Sequence, residues 1–160
     1  LYEHDLLNHI FEEKNIHWAD DTFGAFSMVS RTFENFTGKL NLVPLYKDKE
    51  DDMQFISTLF RKTIAGDKEY DQLIDEKTKN WELDRIASMD VLLMKMALAE
   101  FMHVNNVPVK VSLNEYIDIS KEYSTPNSKT FINGVLDKII ADLKRDNKIQ
   151  KTGRGLMEGK

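Results

Sequence analysis

The chain is predicted to be all-α, a bundle of about seven helices around one central apolar helix. Turn punctuation is sparse, with three prolines and seven glycines in 160 residues, which suits long helices better than a many-stranded sheet. Apolar residues recur at the three- and four-residue spacing of a helix along most of the length. No alternating pattern of strand length survives; Val107 to Val111 comes nearest, and Pro108 breaks it.

Residues 2–13 read as a first helix, with Leu6, Leu7, Ile10 and Phe11 on one side. Asp20 or Asp21 can cap a second, which carries Phe23, Phe26, Met28, Val29, Phe33 and Phe36. Gly38 and Pro44 mark a loop. A third helix starts within the acidic run Asp48 to Asp52, where the dipole favours carboxylates, and has Arg61 and Lys62 toward its other end. Its apolar stripe is Met53, Ile56, Leu59, Phe60 and Ile64. Gly66 terminates it and Asp67 caps a fourth helix carrying Tyr70, Leu73 and Ile74.

The fifth helix, about 87–104, is apolar nearly all round, from Met89 through Leu93, Met96 and Leu98 to Met102. A helix without a polar face is enclosed by other helices, so this one is placed at the centre. Asp90, Lys95 and Glu100 are spaced by five and share no face; Glu100 reads as a buried hydrogen bond or ion pair within the bundle. After a connector, Ser112 and Glu115 are expected to form a capping box for a sixth helix to about Tyr123. Thr125 and Pro126 suit the start of the seventh, whose stripe is Phe131, Val135, Leu136, Ile139, Ile140 and Leu143. Residues 146–160 are polar, contain Gly153, Gly155 and Gly159, and are expected to be a flexible tail.

Composition narrows the function classes. There is no cysteine, so disulfides and thiolate metal sites are excluded. No run approaches the ~20 apolar residues of a membrane span, no signal peptide is recognised, and the chain is read as cytoplasmic. His4 and His9 are five apart, off a common helical face, and no His-Glu-x-x-His, phosphate-binding loop, nucleophile elbow or dinucleotide loop occurs. No enzyme, metal site or cofactor is expected. Net charge is −5 but uneven: residues 1–52 hold 5 Lys/Arg against 11 Asp/Glu, and residues 106–160 hold 10 against 7. Phosphate contacts need clustered cations, so nucleic acid could be met only by the last third.

Four pieces, in order, carry a resemblance. Phe55-Ile56-Ser57-Thr58-Leu59-Phe60 is the first. Trp81-x-Leu83-x-Arg85-Ile86 then leads into the central helix, which ends Ala97-Leu98-Ala99-Glu100-Phe101. Val107-Pro108-x-Lys110-Val111-x-x-Asn114-Glu115 follows, and Ser128-x-x-Phe131-x-Asn133-Gly134-Val135-Leu136-Asp137 closes the set. From about Met53 to Lys144 the chain thereby resembles the NusB family of bacterial transcription antitermination factors. The resemblance implies an all-α fold of two packed sub-bundles and no catalysis. It implies binding of boxA-type leader RNA of ribosomal transcripts together with NusE, a small-subunit ribosomal protein, within the RNA polymerase antitermination complex. The domain plan is then 1–50, a diverged or inserted helical segment; 51–145, the NusB-like domain; and 146–160, the tail. The family typically opens with an arginine-rich helix, whereas only Arg31 precedes Arg61 here. The chain begins at Leu1 without methionine, and a basic helix is expected upstream.

Single-stranded RNA is read by aromatic stacking and by amides and hydroxyls, with cations on the phosphates. The candidate RNA-binding residues are Lys121, Asn127, Ser128, Lys129, Phe131, Asn133 and Gly134, around the start of the last helix. Each also has a plainer structural reading. Phe131 aligns with Val135 and Ile139, and a residue so placed more often belongs to the core; Asn127 and Ser128 can simply cap; the lysines are ordinary surface residues. Gly134 costs a helix up to ~1 kcal/mol relative to alanine, so another helix or an RNA strand should approach its backbone. By resemblance, Asp84, Asp90 and Lys95 are taken as exposed positions for the protein partner. Trp81 is expected to anchor packing, and Arg85 to bond a nearby carboxylate or carbonyl. Two alternatives stay open: the NusB-like RNA-binding domain of a ribosomal-RNA methyltransferase, and a protein-only helical interaction module.

Overall fold

The computed structural model describes residues 4–78 and 86–156. Seven α-helices occur among the described residues: α1 (Asp5–Lys14), α2 (Trp18–Glu34), α3 (Lys49–Ala65), α4 (Asp67–Lys77), α5 (Ser88–His103), α6 (Val109–Tyr123) and α7 (Ser128–Arg145). A 3-10 turn covers Gly153–Leu156, and no strand occurs among the described residues. The predicted all-α class is the observed one. Contacts divide the chain into two units, residues 1–48 and 49–160.

In the first unit α1 and α2 pack through Trp18. Its indole stacks on Phe11 with ring centres 4.5 Å apart, meets Phe26 edge-on at 6.1 Å, and donates from Nε1 to Asn8 Oδ1 at 3.3 Å. The His4 imidazole caps α1 by accepting the Leu7 N–H. Thr32 is buried; its hydroxyl donates to the Met28 carbonyl and accepts the Val43 N–H, tying the following extended segment to α2. α2 begins earlier than predicted, so Asp20 and Asp21 sit inside its first turn instead of capping it. Phe23 and Phe33 remain exposed.

In the second unit α5 touches α3, α4, α6 and α7. Met94, Ala97, Leu98, Ala99 and Phe101 have no exposed surface. Exposing any flank of this helix would uncover large apolar side chains, each worth about 1.5–3 kcal/mol when fully buried. Its three charged side chains leave in three directions. Asp90 meets the α6–α7 junction, Lys95 meets α4, and Glu100 meets α6.

Local readings are corrected at three places. Leu59 packs on the core, but Met53, Ile56, Phe60 and Ile64 of the predicted α3 stripe are exposed. Those four follow one another at helical spacing and Leu59 lies off their line, so α5 meets the Leu59 side alone. Asp67 is the first residue of α4 and gives its carboxylate to Lys95 at 2.5 Å instead of capping. Gly66 holds the α3–α4 turn, where a Cβ would stand 2.3 Å from the ring of the buried Tyr70. The Ser112–Glu115 capping box does not form. α6 begins directly after Pro108, whose fixed φ suits a helix entrance, and this carries Ser112 into the buried face. There its hydroxyl donates to Glu100 Oε1 at 2.5 Å, and Tyr116 donates to Oε2 at 2.7 Å. Glu100 is thus the buried hydrogen-bond acceptor that the sequence suggested. Burial, reinforced by Glu100, pushes the Tyr116 phenol well above its usual range.

α7 ends on Asn147 in the left-handed region (φ 53°), with the Lys148 N–H reaching back to the Leu143 carbonyl at 2.9 Å. Part of the segment expected to be a tail then returns to α5. Ile149 packs on the core, Lys151 Nζ donates to the Val104 carbonyl at 2.6 Å and to that of Glu100 at 3.3 Å, and the Thr152 N–H donates to Asn105 O at 2.9 Å. Gly155 is buried against the same carbonyl, where a Cβ would come within 2.1 Å of Asn105 O.

Candidate nucleic-acid interface

The start of α7 and the start of α5 enclose a cavity of about 400 Å³, lined by Ile86, Ala87, Asp90, Thr125, Asn127, Ser128 and Phe131. Its floor is a hydroxyl–carboxylate network. Asp90, buried at 4% exposure, accepts from Ser124 and, at 2.8 Å, from Ser128. The Ser128 hydroxyl also lies 2.8 Å from that of Thr125 and 3.0 Å from that of Ser124. The Thr125 N–H donates back to Ser128 Oγ at 3.1 Å, which moves the helix start from the predicted Thr125–Pro126 to Ser128. Polar groups withdrawn from water must be paired, and these pair with one another.

The rim above this floor is open. Asn127 is exposed, makes no side-chain cap to α7 and lines the cavity. Phe131 is half-buried at the cavity wall. Gly134 is exposed, and a Cβ built there meets nothing within 4 Å. Of the two neighbours expected at Gly134, a packed helix is absent among the described residues and its flank is open. Asn127, Phe131, Gly134 and Lys138 succeed one another at four, three and four residues and form one surface line.

The other expected residues lie elsewhere. Lys129 and Asn133 occupy a different flank of α7, where Asn133 donates to Asp137 Oδ2 at 3.1 Å. Lys121 is on α6, paired with Asp118 one turn away. Ser128 is inside the network, with 1% exposure. Thr125, Ala87 and Lys138 join the rim although the sequence reading passed over them as site residues. The signal available was the four-and-three spacing that carries Asn127 through Phe131 and Gly134 to Lys138.

The expected protein-partner positions separate as well. Asp84, Trp81 and Arg85 lie outside the described residues. Asp90 is buried, not exposed as expected, because the α6–α7 junction supplies two hydroxyls to it. Lys95 is nearly covered, bridging Asp67 at 2.5 Å and Asp71 at 2.9 Å. Burial pushes its ammonium down, but the bonds to Asp67 and Asp71 outweigh this and hold its pKa above the ordinary lysine value.

Fold and rim define the class: an all-α module enclosing one helix, with an amide, a half-buried aromatic and a cation in line at the start of its last helix. The NusB family profile matches residues 30–141. The chain is 45% identical over 115 residues to the transcription antitermination protein NusB of Salinibacter ruber, covering 72% of this chain and 71% of that protein. It is 40% identical over 104 residues to the NusB of Chloroherpeton thalassium, covering 65% of this chain and about half (49%) of that longer protein. Among solved structures it is similar to T. maritima NusB, with a TM-score of 0.56, 29% identity, and coverage of 63% of this chain and 70% of the other. The chain belongs to the NusB family.

Proposed function

We propose that the protein is a transcription antitermination factor that binds boxA-type leader RNA together with NusE and acts within the RNA polymerase antitermination complex in the cytoplasm. Membership of the NusB family supports this reading. Locally, it is supported by the line Asn127–Phe131–Gly134–Lys138 beside the α7 cavity, in which Phe131 is half-buried against the core and Gly134 is open. An amide, an aromatic face, bare backbone and a cation in sequence are what a single strand needs: hydrogen-bond readout, stacking, close approach and phosphate neutralisation. Lys129 and Asn133 extend the surface on the next flank. Lys95, with its two carboxylate partners on α4, belongs in this reading to the surface facing the protein partner. The work assigned is binding, and no bond is made or broken. No helix among the described residues is long and apolar enough to cross a membrane.

The test is titration of boxA-type RNA by fluorescence anisotropy, with and without NusE, over a salt series. Two phosphate contacts, through Lys129 and Lys138, give a log–log salt slope of about −1.4 for a single strand. NusE should tighten binding, and joint replacement Asn127→Ala/Lys138→Ala should weaken it and flatten the slope. RNA affinity that ignores both the double variant and salt refutes the reading; binding of NusE without any RNA contribution would favour a protein-only module.

A further inference from the structure

The opposite end of α5, about 22 Å from the α7 cavity at 1.5 Å per residue, carries a second concave surface. Two cavities meet there, of about 260 Å³ and 540 Å³, and both are lined by His103 and Asn105. Together they form a trough between α3, the α5–α6 connector and the returning C-terminal segment. Its volume falls in the range that takes a small molecule.

The larger half is cationic. Lys62 comes from α3 and Lys148 from the turn after α7, with Asn147 and Gln150 beside them. Lys148 has one distant partner, Glu69 at 3.7 Å, both half-exposed, a pairing that water screens heavily. The smaller half is amide-rich and has an aromatic wall: Gln54, Asn106 and Thr58 offer donors and acceptors beside Phe55, which is 36% exposed. Asp51 stands at that end, a carboxylate able to accept from the amino group of a base. His103 lies between the halves. Burial and then Lys62 push its imidazole below the ordinary range, with Glu69 opposing, so near neutrality the ring is uncharged and can both donate and accept.

We infer that this trough binds one nucleoside monophosphate unit, with the phosphate at Lys62 and Lys148, the sugar by His103 and Asn105, and the base among Gln54, Phe55 and Asn106. Amides and an aromatic wall match a base, and clustered cations match a phosphate. The same unit could be free or part of a strand, and the experiment separates the two. The inference goes beyond the boxA-type reading at α7 and does not depend on it.

The test is NMR titration of the full chain with AMP, inorganic phosphate and a five-nucleotide RNA lacking a boxA-type sequence, read at the histidine rings. AMP should move His103 and leave His4, His9 and His17 in place. It should also raise the His103 titration midpoint, since an anion beside the ring stabilises its charged form. Lys62→Ala/Lys148→Ala, both exposed side chains, should weaken AMP at least fivefold, and inorganic phosphate should bind at least tenfold more weakly than AMP. An oligonucleotide tenfold tighter than AMP assigns the trough to a strand, and equal affinity assigns it to a free nucleotide. A His103 signal unmoved by AMP, a double variant that binds as before, or phosphate as good as AMP overturns the inference. AMP carries no boxA-type sequence, so failure of RNA binding at α7 leaves this result standing.

Discussion

Gly134→Ala should make the protein more stable and a poorer RNA binder. Gly134 lies within α7, exposed, with nothing within 4 Å of the place a methyl group would occupy. Glycine in a helix interior costs about 0.8–1.0 kcal/mol relative to alanine, and no steric penalty offsets that gain here. For a chain of this length the gain corresponds to a rise in Tm of roughly 2–4 °C. Urea denaturation should show the same gain as a higher midpoint at unchanged slope, because neither compactness nor buried surface changes. The added methyl stands on the line between Phe131 and Lys138, where a strand would lie against bare backbone. RNA affinity measured on the same sample should fall severalfold. A destabilised variant would mean that something packs on Gly134 after all and would refute the open-rim argument. A stabilised variant with unchanged RNA affinity would move the strand off this line.

Two further outcomes follow from buried polar groups. Tyr116→Phe removes one of the two donors to the buried Glu100 and should cost about 1–2 kcal/mol in denaturant titration; Glu100→Ala strands Tyr116, leaves Ser112 only a long 3.4 Å bond to the Pro108 carbonyl, and should cost more. A Glu100→Ala loss no larger than that of Tyr116→Phe would contradict this account of the network. Burial, opposed by Glu100, pushes the Lys151 ammonium down to about 8 from the usual 10.5. Between those values the unfolded chain holds more protons than the folded one, so stability should climb as pH rises from about 8 toward 10. Lys151→Met should lose that climb relative to the parent protein, read as unfolding midpoint against pH; the half-exposed position keeps the effect small.

The central helix was legible because its composition leaves a single solution: Leu93, Met94, Met96 and Met102 point to different sides, so all sides must be covered. Glu100 was legible for the same reason, since an acid on an enclosed helix must find donors. Short patterns were less informative. Ser112-x-x-Glu115 fits a capping box, but Pro108 opens the helix earlier and a distant acid claims the serine. Asp90 resembled a surface acid because its partners, Ser124 and Ser128, are more than thirty residues away in sequence. The α3 stripe was correctly periodic, yet periodicity does not say which side a neighbour takes. At the candidate interface, Asn127 and Phe131 were found together, whereas Lys129 and Asn133 were grouped with them by proximity in sequence and sit on another flank.

The cap on α5 has a consequence for the order of assembly during synthesis. Val104 leaves the peptidyl-transfer centre 47 residues before Lys151, whose ammonium closes the carbonyls at the end of that helix. At 5–20 residues per second this is a wait of about 2 to 9 seconds. In that interval α6 and α7, two of the helices that cover α5, are themselves still being made, so the central helix is covered and its end closed only late in synthesis.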